Sequence, residues 1–466
     1  MLEYGKRVHF VGIGGIGMSA LARILLGWEV KVSGSDMVMS HMTEELAGLG
    51  AVIYEGHRAE NLAGDVGLLV YSSVIHEDNP EYIEAKRRGL AIMCRAELLA
   101  EMLRLRQGIA VAGAHGKTTT TGMLGTALLE MAQQPTIVVG GILANIRANS
   151  CWGTGEYMVA EADESDGSFL LLPARVAVVT NIENDHLDHY GSMDKLIAAF
   201  GQFINQLPPE GFAVLGLDCP IIRELLPELK SRCVTFGLHS PADYQARDIH
   251  YTDFGSVSQI YYRREHLGEL KLQVPGEYNV ANATAVIAAL HSLGFDFGDI
   301  AAGLAAFAGT GRRFELLGRD EGRNIRVFDD YAHHPSEVKA LLQGARNLRP
   351  QRLVVVFQPH RYSRTKLLFD EFTAAFDAAD VLVLDEIYPA FEQPIPGVSA
   401  RVLAEAVRRH NPGLPVYYAA DEEEVLSTLS KIVQAGDLVM IAGAGNIRHT
   451  GEVYGAAVRR QAHEQD

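Results

Sequence analysis

The chain lacks a paired-cysteine framework, a long apolar run and any excess of basic charge. Its four cysteines are Cys94, Cys151, Cys219 and Cys233. They form no Cys-x-x-Cys pair and none stands at metal-ligand spacing from histidine. That excludes a zinc ribbon or a disulfide scaffold and fits free thiols in a reducing compartment. No stretch approaches the roughly 20 apolar residues of a membrane span. The opening Met1-Leu2-Glu3-Tyr4-Gly5-Lys6 runs into an apolar strand and does not read as a signal peptide. The cytoplasm is therefore the expected compartment. With Lys and Arg numbering 41 against 58 Asp and Glu, the net charge is −17. Nucleic acid and anionic membrane are not expected partners, since both want a basic face. Small anionic ligands stay open, because a site can be locally positive. Short-period repeats and low-complexity tracts are also missing.

What is present is a globular α/β pattern. Hydrophobic content of 48% and charged content of 21% over 466 residues suit a soluble enzyme of about two to four domains. Three segments each open on a short apolar strand: Val8-His9-Phe10-Val11, Ile109-Ala110-Val111-Ala112 and Ile325-Arg326-Val327-Phe328. Later Val/Leu runs, at 353–357, 381–384 and 438–441, alternate with helical spacing. This predicts parallel sheets covered on both faces. Residues 243–275 read as an antiparallel patch and 280–308 as two packed Ala-rich helices. The tail after Tyr454 reads as a final helix.

Between strand and helix the second segment carries Gly113-Ala114-His115-Gly116-Lys117-Thr118-Thr119. A Gly-rich turn points backbone N–H groups at an anion, Lys117 can reach outer phosphates and the Thr118 hydroxyl can hold Mg²⁺. The Walker pattern has Gly where Val111 stands, so this is a compressed variant. ATP or GTP is the expected ligand. Downstream, Tyr157-Met158-Val159-Ala160 ends in Glu161-Ala162-Asp163-Glu164, and the strand at 176–180 runs into Asn181 and on to His186. Acids at strand ends beside a P-loop sit where Mg²⁺ is held; His186 suits Mn²⁺ better than Mg²⁺. The first segment has its own Gly-rich loop, Gly12-Ile13-Gly14-Gly15-Ile16-Gly17, with a second strand at Val30-Lys31-Val32 and Asp36 beyond it, 19 residues after Gly17. Alone this is a dinucleotide fingerprint; a nucleotide-sugar diphosphate satisfies the same geometry. In the third segment, strands end in Asp329-Asp330-Tyr331-Ala332-His333-His334-Pro335 and Gln358-Pro359-His360-Arg361-Tyr362-Ser363-Arg364, a cationic rim suited to a carboxylate or phosphoryl group.

Together these motifs resemble the Mur ligase family. The resemblance covers essentially the whole chain. It rests on Gly12–Gly17 with Ser33-Gly34-Ser35-Asp36, Gly113–Thr119, Glu161–Phe169, Asn181–Tyr190, Pro275–Asn282, Gly311–Glu315, Asp329–Pro335 and Gln358–Arg364. It implies three α/β domains: a Rossmann-like UDP-sugar domain at 1–107, a central ATP-binding domain at 108–311 and a Rossmann-like amino-acid domain at 312–466. The implied reaction is ATP-dependent ligation of L-alanine to the lactyl carboxylate of UDP-N-acetylmuramate. It passes through an acyl phosphate, releases ADP and phosphate, and serves peptidoglycan synthesis. The cofactors implied are ATP and Mg²⁺ or Mn²⁺, and the chain is expected to be a monomer or weak homodimer.

The same resemblance assigns Gly12, Gly14, Gly15, Ile16, Gly17, Asp36, Ser72 and Ser73 to the UDP-sugar. It assigns Gly113 through Thr119 to ATP, with Asn279 and Asn282 toward the base and Arg313 toward phosphate. Thr118, Glu161 and His186 would serve metals, and Tyr331, His333, His360, Arg361 and Arg364 the amino acid. The implied catalytic set is Lys117, Glu161, His186, Arg313, His333 and His360. Ala114, Ala332, Gly27-Trp28-Glu29 and Asn446 depart from the family pattern without removing an implied contact. Two other readings are a murein-recycling ligase that adds a tripeptide to the same nucleotide sugar, and a nicotinamide oxidoreductase that leaves Gly113–Thr119 without a role. A third is a nucleotide-switched binding protein.

Overall fold

A computed structural model describes residues 6–72, 74–185, 187–252 and 254–463. Three sheets organise the chain. The N-terminal sheet has five parallel strands in the order Val52–Glu55, Val32–Asp36, Arg7–Val11, Val66–Tyr71, Ala91–Cys94. The first strand lies at its centre, and the order reverses there, which opens a crevice beyond the strand ends. Helix Ile16–Gly27 buries Met18, Leu21, Ile24 and Leu25 in a core shared with Val8, Phe10 and Val32 of this sheet. Each such side chain contributes roughly 1.5–3 kcal/mol of burial.

One strand differs from the sequence expectation. Apolar Val30 and Val32 place the second strand at 30–32; it runs Val32–Asp36 instead. Its centre is Gly34, where an added Cβ would stand 2.6 Å from Ile13 Cδ1 and 2.7 Å from the Phe10 carbonyl. Close approach of the Gly-rich loop, rather than side-chain hydropathy, selects this register, and Asp36 ends the strand.

The central sheet has ten strands. Gln107–Ala112 lies between Val176–Val179 on one side and Tyr157–Glu161 on the other, all parallel. Three strands at one end, Tyr244–Tyr251, Ser256–Tyr262 and Glu265–Leu272, are consecutive hydrogen-bonded neighbours. Connections this short require them to be antiparallel, as expected for 243–275. The Ala-rich stretch forms helices Glu277–Ser292 and Phe297–Ala305. The C-terminal sheet has six strands in the order Glu315–Asp320, Ile325–Asp330, Asp437–Ala442, Arg352–Phe357, Val381–Leu384, Val416–Tyr418. Only the first is antiparallel to its neighbour. The final helix begins earlier than expected and covers Ile447–His463. No helix among the described residues is long and apolar enough to cross a membrane.

The chain divides into two compact units. The first is Met1–Asp248, Ser258–Lys271 and Ala281–Ala308; the second is Ile249–Val257, Leu272–Val280 and Gly309–Asp466. The first unit holds both Gly-rich loops, and the second holds the cationic rim.

Candidate active site

In the first unit, strand Arg7–Val11 ends at Gly12, whose φ of +82° suits glycine. The Gly12 and Ile13 amides donate to the Ser35 carbonyl at 2.8 and 3.0 Å. The Gly14 amide donates to Asp36 Oδ2 at 2.9 Å. Asp36 therefore braces the loop itself. No side chain caps the following helix at Gly15, and an uncapped helix start favours an anion. The Arg95 side chain lies against Gly17, 3.0–3.2 Å from where a Cβ would be. Ser72 packs beside Gly12, while Ser73 lies outside the described residues. Beneath the loop is a polar network that sequence reading missed. The Ser35 hydroxyl donates to buried Glu81 at 2.6 Å and meets His57 Nδ1 at 2.9 Å. Asn61 donates to the other Glu81 oxygen at 2.5 Å. Burial pushes the Glu81 carboxyl up, but the His9 imidazole 3.7 Å away and the hydrogen bonds from Ser35 and Asn61 outweigh it and hold it below the usual carboxylate range.

The second Gly-rich loop follows strand Gln107–Ala112. Gly113 (φ +129°) and Gly116 (φ +85°) shape it. A Cβ on Gly113 would meet Thr180 Oγ1 at 2.2 Å, and one on Gly116 would meet Asn282 Oδ1 at 2.6 Å. Asn282 thus sits directly against the loop. Asn181 clasps it: its Oδ1 accepts from the His115 amide at 2.8 Å and its Nδ2 donates to the His115 carbonyl at 3.0 Å. Thr180 Oγ1 donates to the same carbonyl at 2.6 Å. Helix Lys117–Glu130 begins at the loop's end. Thr118 Oγ1 lies 3.0 Å from both oxygens of Glu161, one of which also accepts from the Gly140 amide at 2.8 Å. Lys117 Nζ donates to Glu164 at 2.8 Å and to the Gly113 and Ala114 carbonyls at 2.7 and 3.3 Å. Burial pulls the Lys117 pKa down, but Glu164, Glu161 and Asp163 outweigh it and hold the ammonium above its ordinary value. The sequence motif singles out Lys117, Thr118 and Glu161; the Asn181 clasp and the Lys117–Glu164 pair it does not show. His186 lies outside the described residues.

In the second unit the rim residues gather at the carboxyl ends of parallel strands. Arg312 and Phe314 take positive φ, +59° and +51°, and the loop between is tied down. The Arg312 amide donates to Glu315 at 2.7 Å, the Phe314 amide to Asp330 Oδ2 at 2.8 Å and the Tyr331 amide to the Arg312 carbonyl at 2.7 Å. Arg313 then lies over the Tyr331 ring at 5.4 Å and 3.8 Å from Glu337. Glu337 Oε2 also accepts from the His333 and His334 amides at 3.0 and 3.2 Å, capping helix Pro335–Asn347.

The His360 ring stands 5.9 Å from His333 and stacks on Tyr388 at 5.5 Å; sequence reading missed Tyr388. Arg364 Nη1 reaches His360 Nδ1 at 3.4 Å. Burial lowers the His333 pKa to about 4, with Glu337 opposing and Arg364 adding to the shift. Burial, His333, Arg364 and Arg361 lower that of His360 to about 4. Both imidazoles are therefore neutral at neutral pH. Arg361 is exposed with φ +71° and ψ 138°. Asn279 is buried, donating to the Pro275 carbonyl at 2.6 Å.

A Gly-rich loop at a switch point, a P-loop with its hydroxyl–carboxylate pair and a rim of arginine and neutral histidine are the marks of a nucleotide-using enzyme of modular α/β build. Residues 7–107 match the model of the Mur ligase family catalytic domain. Residues 111–290 match the Mur ligase middle domain and 312–445 the Mur ligase glutamate ligase domain. The chain belongs to the Mur ligase family. A UDP-N-acetylmuramate–L-alanine ligase of Geotalea uraniireducens is 50% identical over 96% of this chain and 98% of the relative. One of Geobacter sulfurreducens is 50% identical over 97% and 98%. Among solved structures, the UDP-N-acetylmuramate-alanine ligase of Thermotoga maritima superposes with a TM-score of 0.82 at 30% identity, over 98% of this chain and 99% of that one. A murein peptide ligase of Psychrobacter arcticus gives 0.69 at 25%, over 97% and 99%.

Proposed function

We propose that the chain joins L-alanine to the lactyl carboxylate of UDP-N-acetylmuramate, at the expense of ATP, through an acyl phosphate, releasing ADP and phosphate for peptidoglycan synthesis. The observation that carries this reading is the pairing of two separate anion loops in one chain that is 50% identical, over nearly its full length, to ligases of that name. The nicotinamide reading loses ground because it leaves the Lys117 loop unused. The tripeptide reading is less favoured because the murein peptide ligase is the more distant match.

In this reading the domains run 1–107, 108–311 and 312–466. The uncapped helix start at Gly15–Gly17 receives the UDP diphosphate, and Gly113–Thr119 the ATP phosphates, with Asn282 and Asn279 toward the base. The residues fit a divalent cation: Thr118 and Glu161 offer adjacent oxygens beside the phosphate loop. They would hold Mg²⁺ or Mn²⁺ together with His186, and a bound cation neutralises phosphate charge. Lys117 and Arg313 offset charge on the transferring phosphoryl group. Arg361 and Arg364 anchor the alanine carboxylate, Tyr331 shapes its pocket, and neutral His333 or His360 takes a proton from its ammonium. The protein works in the cytoplasm, where ATP is made, as a monomer or weak homodimer, which sedimentation velocity checks.

The test is phosphate release with UDP-N-acetylmuramate, ATP and one amine at a time. Release is expected with L-alanine and only when all three substrates are present. Bound UDP-sugar and ATP without phosphate release on adding alanine would sink the reading, and preference for tripeptide over alanine in competition would redirect it.

A further inference from the structure

An ammonium group carries three protons and no more. In this structure Lys117 spends them on the Gly113 carbonyl at 2.7 Å, the Ala114 carbonyl at 3.3 Å and Glu164 Oε1 at 2.8 Å. Three acceptors for three donors leave nothing to offer an entering phosphate, so one of these bonds must open first. The two carbonyls belong to the loop that Lys117 itself helps to shape. Glu164 comes from elsewhere, 47 residues along the chain, and it is the charged partner.

The other acids of the same run are occupied differently. Glu161 faces Thr118 and the Gly140 amide, Asp163 accepts from the Ser165 amide at 3.0 Å and Asp166 from the Ser168 amide at 2.9 Å. Glu164 is also fixed in place. Its side chain is 2% exposed, and its carbonyl accepts from Tyr190 OH at 2.5 Å and from the Gly167 amide at 3.1 Å, in a turn closed by Gly167 at φ +74°. With its backbone carbonyl tied down and its side chain buried, Glu164 is anchored at its base while the longer Lys117 chain swings toward phosphate.

We propose that Glu164 is a built-in substitute for phosphate: it holds Lys117 in reserve in the empty cradle, and nucleotide affinity is set by the competition between Glu164 and the incoming phosphates for that one ammonium. The inference rests on the reading of Gly113–Thr118 as a nucleotide cradle. It makes Glu164 a positioning residue that lowers affinity in order to keep the loop ordered and its lysine charged before nucleotide arrives. Losing a charge-assisted bond that exists only in the free state must tighten binding.

The experiment is a double-mutant cycle read by titration calorimetry with ADP and Mg²⁺ on the full chain. Glu164→Gln keeps the shape and removes the charge; ADP is expected to bind about ten-fold tighter. In a Lys117→Met background the same substitution is expected to change ADP affinity less than two-fold. Equal tightening in both backgrounds would overturn the proposal, since Glu164 would then merely repel phosphate. Unchanged or weaker binding by a Glu164→Gln chain whose melting temperature matches the parent would overturn it too. If the Gln variant does not fold, Glu164→Asp, which shortens the reach, is expected to tighten ADP partially, and failure to do so counts against the proposal. If the unaltered chain binds no ADP, the cradle reading itself falls and takes the inference with it, an outcome distinct from the others.

Discussion

The Gly113–Thr119 loop of the first unit and the arginine–histidine rim of the second, proposed above to take phosphate and amino acid, solve opposite problems with the same backbone conformation. Both need turns in which φ is positive. In the phosphate loop those positions are Gly113 and Gly116; at the rim they are Arg312, Phe314 and Arg361. A loop that must bring its own amides against an anion, with Thr180 and Asn282 pressed behind it, has no room for a Cβ. A rim that must present guanidinium groups cannot use glycine. It accepts about 1–3 kcal/mol of backbone strain at each non-glycine position and fixes the loops with Asp330, Glu315 and the Tyr388 carbonyl. At Arg312 and Arg361 the strained positions carry guanidinium groups, at Phe314 the strained amide is tied to Asp330, and at Gly113 and Gly116 close packing leaves only bare backbone.

Breaking the phosphate side has the largest effect. Lys117→Ala is expected to lower phosphate release at least about 10³-fold with all substrates present, measured by a coupled phosphate assay. Next comes Gly113→Ala. With φ at +129° and Thr180 Oγ1 at 2.2 Å from the new Cβ, it is expected to destabilise the first unit by about 3 kcal/mol or more and abolish ADP binding, read by thermal melting and calorimetry. At the rim the comparison predicts the reverse sign. Arg361→Gly is expected to stabilise the chain by about 1 kcal/mol, strain relief less the added freedom of the unfolded chain, while raising KM for alanine about ten-fold. A rise in KM without a gain in melting temperature would show that no strain is stored there.

The smallest effect concerns protons. Arg364 depresses both imidazoles, so Arg364→Met should raise the NMR titration midpoints of His333 and His360 above their value of about 4. The unfolded imidazoles titrate near 6.5 and the folded ones near 4, so the unfolded chain binds more protons in that window. The contribution of these two rings is complete above pH 6.5 and is lost as pH falls through 4. In Arg364→Met that loss should be smaller.

Local patterns were legible in the sequence where the chemistry is local. An apolar strand, glycines and Lys-Thr identify the phosphate loop, and both Rossmann-like sheets follow from strands alternating with helices. The register of the second strand was not legible, because Gly34 is chosen by the Ile13 side chain packing over it. Asp36 follows the fingerprint spacing, yet its carboxylate takes the Gly14 amide; spacing locates an acid without saying which group claims it. Lys117–Glu164, the Asn181 clasp and the His360–Tyr388 stack join residues from separate strand ends. Only the sheet order brings them together, and no one-dimensional period encodes that order.

Glu81 stands at the start of helix Pro80–Arg88, and its carboxylate grips Ser35, whose carbonyl in turn anchors Gly12 and Ile13. On the proposed assignment of that loop to the sugar nucleotide, an inherited change at position 81 would consequently masquerade as a defect in recognising it. A genetic screen for weakened substrate capture would then return alleles beneath the loop as well as on it, grouped around one concealed acid.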